Sequence, residues 1–370
     1  MPVLQSIHST VVPYPRIDLH VLMQGGAMTK LAFASDYQEG CHPAILKRLI
    51  ETNLEHSSGY GSDEYSESAR EKIRAACACS EAEVYFLVGG TQANATIIGA
   101  MLNRWEGVLA PNTGHIAVHE AGAIEHGGHE VLMLPHTLGK ISTEQVRGAL
   151  KIFAEDGNHD HMVAPGMVYL SQPTEYGTLY SLEELKGISV AAHEYGARLF
   201  VDGARLAYAL ACPENDVTLE DLARLIDAFY IGGTKCGALL GEAVVFPRPG
   251  TVPHFFTIIK QEGALLAKGR VLGLQFDTLF TDGLYAQVGE VAIRAARRIR
   301  ACLQDKGYVL ALDSPTNQLF PILSPEQKER LERRVDMSFW ENLSDGRTVM
   351  RIATSWATRD EDVEALIALL

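Results

Sequence analysis

The stretch Ala197–Gly241, ARLFVDGARLAYALACPENDVTLEDLARLIDAFYIGGTKCGALLG, decides the fold. Its Leu199-Phe200-Val201 run has the length and β-rich composition of a buried strand, and it ends on Asp202. Gly203-Ala204-Arg205 then leads into a helical segment. A second apolar run, Ala228-Phe229-Tyr230-Ile231, ends in Gly232-Gly233-Thr234-Lys235. A carboxylate therefore stands at the end of one strand and a lysine just past the end of another. In open α/β sheets, strand ends are where ligands bind. This is the pair that pyridoxal 5′-phosphate (PLP) chemistry requires: a lysine for the Schiff base and an aspartate that keeps the pyridine nitrogen protonated. Taken singly, Asp202 reads as well as a helix cap and Lys235 as a loop lysine. Together, flanked by glycines, they favour PLP.

Upstream, Val84–Val88 reads as a strand that turns through Gly89-Gly90-Thr91-Gln92-Ala93-Asn94 into a helix over Ala95–Arg104. Glycines let the backbone approach an anion, and the free amides at a helix start point toward it. Gly90, Thr91 and Gln92 are thus the candidate cradle for the PLP phosphate, although a generic tight turn would carry the same letters. Further strands are expected at Gly107–Ala110, Glu130–Leu134, Met167–Ser171 and Gly241–Phe246. Helices are expected at Ser142–Ala154 and Ser181–Tyr195, the latter opened by a Ser181/Glu184 capping box. This strand-then-helix order predicts an α/β fold with a large, mostly parallel sheet. Arg270–Phe280 is expected to begin the long helix that joins the domains. Beyond it, helices at Ala286–Lys306 and Pro325–Val335 alternate with strands at Gln318–Ile322, Met337–Trp340 and Val349–Ile352, as in a small α+β domain. The expected division is an N-terminal extension over 1–30, a large PLP-binding domain over 31–272 and a small C-terminal domain over 273–370.

Composition narrows the function classes. The chain has 370 residues, 46 acidic against 32 basic, and a net charge of −14. Such a balance argues against nucleic acid, whose binding rests on Lys and Arg neutralising phosphates, and against anionic membrane surfaces. No apolar run reaches the length of a membrane span. The six cysteines show neither a CxxC nor a disulfide-like spacing and read as reduced thiols, which with the absence of a signal-like N-terminus makes a cytoplasmic location the expectation. Pro111–His115 is expected to open a helix carrying His115, His119 and Glu120; the two histidines, at i and i+4, lack a third ligand, so no metal is expected.

Val201-Asp202-Gly203-Ala204-Arg205, followed by Thr234-Lys235, and the letters GTQAN over 90–94 together resemble the L-threonine aldolase family of the β-eliminating lyase superfamily. The resemblance runs from about Leu31 to near the C-terminus. It implies a PLP-dependent transferase-like fold of type I, with PLP held by Lys235 and its phosphate by Thr234. The histidine matching His115 stacks on the pyridine ring in that family, and Arg351 matches the arginine that takes the substrate carboxylate, assisted by Arg205 and Ser35. Tyr60, in Gly59-Tyr60-Gly61, matches a loop that reaches a shared site. Lys268 or Arg270 is the candidate for a basic residue donated to the phosphate by a neighbouring subunit. Much of the family carries histidine where this chain has Glu175, which leaves the general base open among Glu175, His115 and water. The implied reaction is retro-aldol cleavage of L-threonine or L-allo-threonine to glycine and an aldehyde. β-Elimination or transamination on the same scaffold is the alternative, and a nucleotide-binding α/β protein without chemistry the more distant one. The implied assembly is a homodimer or homotetramer with shared active sites.

Overall fold

The computed structural model describes residues 30–370; the expected N-terminal extension lies almost wholly outside the described residues. The chain enters through a two-residue strand, β1 (Leu31–Ala32), then helices α1 (Pro43–Glu51) and α2 (Glu64–Ala76). Strand β2 (Glu83–Leu87) feeds α3 (Gly90–Met101), and β3 (Glu106–Pro111) feeds the one-turn α4 (His115–Val118). The remaining strands of the large sheet are β4 (Val131–Leu134), β5 (Ala164–Ser171), β6 (Arg198–Asp202), β7 (Ala228–Gly232) and β8 (Glu242–Phe246). They lie in the order β4-β3-β5-β6-β7-β8-β2, parallel except where β8 pairs antiparallel with β7 and β2.

The apolar runs read as strands because helices cover both faces of the sheet. Val168 and Leu170 of β5, with Leu199 and Val201 of β6, join the core on one side. Met167, Tyr169 and Phe200 join the core on the other. Side chains alternate across a pleated strand, so a strand buried twice must be apolar throughout. The parallel strands β5, β6 and β7 therefore carry Ser171, Asp202 and Gly232 to the same edge of the sheet.

At this edge the VDGAR motif has a steric cause. A Cβ on Gly203 would lie 2.0 Å from the Tyr230 carbonyl oxygen, and one on Gly232 would lie 2.3 Å from that of Ala204. The turn after Asp202 passes directly against the backbone of β7, and only glycine permits that approach.

The C-terminal part forms an antiparallel sheet around the strand Thr348–Ala353, which pairs with Gln318–Leu319, Pro321–Leu323 and Ser338–Asn342. Its core of Ile299, Leu303, Leu319, Val335, Ile352, Val363 and Leu366 also takes Phe33. β1 pairs in parallel with Val335–Asp336, so the start of the described chain packs with its end.

Three boundaries differ from the sequence reading. Arg270–Leu279 is a helix of its own and does not run on into the long one, Leu284–Asp305. Asp282 (φ 51°) and Gly283 (φ 71°) adopt left-handed backbone between them, which a continuous helix cannot contain. α3 starts at Gly90, five residues earlier than expected, because Gly89 with extended backbone serves as its N-cap. The helix carrying His115 ends at Val118, which leaves His119 and Glu120 beyond it.

Candidate active site

The edge reached by β5, β6 and β7 opens into a cavity of about 230 Å³. Its walls bring together Gly90, Thr91, His115, Glu175, Asp202, Arg205, Thr234 and Lys235, all singled out in the sequence. An adjoining chamber of about 350 Å³ shares His115, Glu175, Arg205 and Lys235, and adds Tyr37, His119, Gln318, Trp340 and Arg351. The two parts of the chain meet across it.

Asp202 is 5% exposed and fully engaged. Its Oδ2 accepts from the Tyr169 hydroxyl (2.7 Å) and the Asn94 amide (3.1 Å), and its Oδ1 from the Ala204 N–H (2.9 Å). Burial works against its charge, but the facing Tyr230 hydroxyl, the His115 ring, the Ala204 amide and the Tyr169 hydroxyl outweigh it. The carboxyl is held below its ordinary range and stays ionised.

From Asp202 the network continues to His115. The Asn94 Nδ2 also donates to Glu120 Oε1 (2.7 Å), and the same oxygen meets His115 Nδ1 (2.7 Å). With a carboxylate at Nδ1, that nitrogen carries the proton and Nε2 is left as the ring's acceptor. The His115 backbone N–H in turn donates to Glu175 Oε1 (3.0 Å), which also accepts from the Ser171 hydroxyl (2.7 Å). Glu175 Oε2 is shielded from solvent and has no partner among the described residues. Burial, with Asp202 adding to it, raises the Glu175 carboxyl above its ordinary range against the opposing Ser171 hydrogen bond.

Lys235 is half-buried, and among the described residues its Nζ makes neither a hydrogen bond nor an ion pair; it lies over the Tyr37 ring, 5.8 Å from its centroid. Burial first, then the Arg205 charge, lowers its basicity below that of an ordinary lysine. A carboxylate at bonding distance would have fixed it as an ammonium ion. Here the amine is left free to act as a nucleophile.

The two arginines differ in availability. Arg205 directs Nε (2.5 Å) and Nη2 (3.0 Å) to Asp36, a fully enclosed carboxylate that Asn317 also holds. Arg351 donates to the Ala34 carbonyl, Gln318 Oε1 and Ser338 Oγ, yet its Nε is unpartnered. Of the two, Arg351 faces the chamber and has no carboxylate partner among the described residues.

Other candidates lie outside the cavity. Gln92 turns back to accept from the Val88 N–H (3.1 Å). Ser35 has a buried hydroxyl without a partner, one residue from Asp36. Tyr60, with φ 59°, is exposed and packs under Lys260. Lys268 is exposed, and Arg270 is spent on the carbonyls of Thr52 and Glu55. The sequence reading passed over Asn94, Glu120, Tyr169, Asp36 and Glu242. The last left a legible signal, a lone charge at the mouth of the apolar strand EAVVF.

Comparison with known proteins agrees with this architecture. The β-eliminating lyase family matches residues 32–314. The low-specificity L-threonine aldolase of Pseudomonas aeruginosa is 30% identical over 341 residues, covering 90% of this chain and 95% of that protein. A solved threonine aldolase from Leishmania major is 41% identical, with a TM-score of 0.89 over 91% of this chain and 98% of its own. The serine palmitoyltransferase of Sphingomonas wittichii, at 15% identity and a TM-score of 0.68 over 92% of this chain and 86% of its own, shares the fold alone.

Proposed function

The chain belongs to the β-eliminating lyase family, and from that premise we propose that it is a PLP-dependent aldehyde-lyase cleaving L-threonine or L-allo-threonine to glycine and acetaldehyde. Its fold is the type I fold of PLP enzymes. The observation that carries the reading is one cavity holding an unpaired Lys235 amine, an ionised Asp202 and a Glu175 with a free oxygen.

The residues present fit PLP. The amides at the start of α3 have no side-chain cap, and they face the same cavity as the Thr234 hydroxyl, so Gly90, Thr91 and Thr234 suit a phosphate. Asp202 suits a protonated ring nitrogen and His115 a ring face. Lys235 is the amine for the aldehyde. When bound, PLP supplies the electron sink for the pair released as the substrate Cα–Cβ bond breaks.

The protein's own part is orientation and proton handling. Arg351, which faces the chamber without a carboxylate partner among the described residues, binds the substrate carboxylate, and the fixed geometry of the guanidinium sets which Cα bond is aligned for cleavage. The Glu175 carboxylate takes the proton of the β-hydroxyl as the aldehyde forms. Asp202, held ionised by its four partners, keeps its charge throughout. Lys235, or water beside it, returns a proton to Cα. Glu120 keeps the His115 ring in one tautomer and orientation.

The purified enzyme, given L-threonine and L-allo-threonine, is expected to release glycine and aldehyde in equal amounts. Ammonia and a keto acid without glycine would move the chemistry to β-elimination. The assembly in this reading is a homodimer or homotetramer. Tyr60, with Lys268 or Arg270, lies away from its own protomer's cavity and then serves a neighbour's, Lys268 being the basic residue of the two that is not held by backbone carbonyls among the described residues. Sedimentation of the active enzyme is expected to show at least a dimer, and an active monomer would remove that role from all three.

A further inference from the structure

Glu242 is the one carboxylate of the cavity to which the reaction gives no task. It opens β8 and is 3% exposed. In the sheet it stands opposite Gly232 of β7 on one side and Leu87 of β2 on the other. β7 runs on into Gly233-Thr234-Lys235, and β2 into Gly89-Gly90-Thr91. Glu242 therefore sits in the fork between the two loops that would hold the cofactor phosphate. Its Oε2 accepts from the Gly233 N–H at 3.0 Å, and no cation pairs with it among the described residues.

A carboxylate in that fork conflicts with a phosphate dianion. Within the protomer the cations do not resolve the conflict: Arg205 is committed to Asp36, and Lys235 is required at the aldehyde end. The groups facing Glu242 are Lys235, Asp202, Cys236 and Tyr230 from the strand ends, and Tyr285 from the long helix. Only the lysine among them favours ionisation. Burial dominates, and it pushes the Glu242 carboxyl up to about 8 against the opposing Thr234 and Gly233 hydrogen bonds.

We propose that Glu242 is held as the neutral acid and donates its proton in a hydrogen bond to a phosphate oxygen of PLP, alongside any cation that a neighbouring protomer brings to the phosphate. The inference rests on the PLP reading above. It has a consequence that an arginine at the phosphate, charged throughout, would not produce. As pH rises through the Glu242 pKa the donor is lost, a second negative charge appears, and the phosphate is held less tightly.

The test is titration of the full chain, freed of cofactor, with pyridoxine 5′-phosphate, which has no aldehyde and so reports the phosphate grip without the link to Lys235. The phosphate itself is fully ionised above about pH 7, its second pKa being near 6. Wild-type affinity is expected to fall about tenfold per pH unit above about 8. Glu242→Gln keeps an N–H donor that never ionises, so it should bind with nearly the neutral-pH affinity throughout. Parallel profiles for the two proteins would overturn the role of Glu242. Phosphorus NMR of the wild-type holoenzyme needs no variant: because the bound phosphate itself favours the protonated acid, a resonance that moves with a midpoint above 8 supports the role, and one that stays flat overturns it. Borohydride reduction with PLP keeps the two readings apart. If Lys235 is labelled while the profiles stay parallel, only the Glu242 role falls; if Lys235 is never labelled, the PLP reading falls with it.

Discussion

Replacing Lys235 with alanine is expected to leave a folded protein that can still take up PLP but cannot fix it, and whose cleavage of L-threonine falls by at least about 10³-fold. The fold should survive because the lysine amine supports nothing around it: Nζ has no hydrogen bond or ion pair among the described residues. The neighbouring backbone is held independently, by the Tyr208 hydroxyl on the Lys235 carbonyl and by the Gly233 N–H on Glu242. What is lost is a nucleophile made available by enclosure and by the Arg205 charge, and with it a proton carrier beside Cα. Two measurements check this. Borohydride followed by peptide mapping should label Lys235 in the wild type and no residue in Lys235→Ala. Cofactor absorbance should show the variant still binding PLP, reversibly. Undiminished turnover in the variant would remove Lys235 from the chemistry and with it the reading of the site.

The parts of this site legible in the sequence are those set by strand ends. Asp202 and Lys235 follow apolar runs that can only be buried parallel strands, so their convergence follows from the topology. Gly90 and Thr91 were legible for the same reason, as a glycine turn between a strand and a helix. The polar bridges were not. Asn94 reaches Asp202 from 108 residues away, and nothing local marks a helical asparagine as the link between two carboxylates. Glu120 reaches His115 only because the helix stops at Val118 and the chain folds back. Arg205 shows a different limit: its place in the motif suggested a carboxylate of the substrate, whereas its fork is filled by Asp36, 169 residues upstream. Tyr60, Lys268 and Arg270 mark a third, since one chain's sequence does not say whose cavity its surface residues face.

The second large effect is expected at Glu175. Glu175→Gln preserves the amide-like shape and an Oε1 able to accept from the Ser171 hydroxyl and the His115 N–H, so the wall of the cavity should stay in place. It removes only the basicity of the free Oε2. If that oxygen takes the β-hydroxyl proton, kcat should fall by about 10²–10⁴-fold with little change in KM. The pH profile gives a stricter test. Glu175 is a base only when ionised, and burial raises its pKa, so wild-type kcat should climb with pH along a limb lying above the ordinary carboxylate range. That limb should vanish in Glu175→Gln. Arg351→Lys is the control for binding as against chemistry. It keeps the charge but loses the planar fork, and should raise KM more than it lowers kcat. A Glu175→Gln enzyme with undiminished kcat and an intact acidic limb would pass the base to His115, whose Nε2 is left as an acceptor by Glu120, or to a water between them.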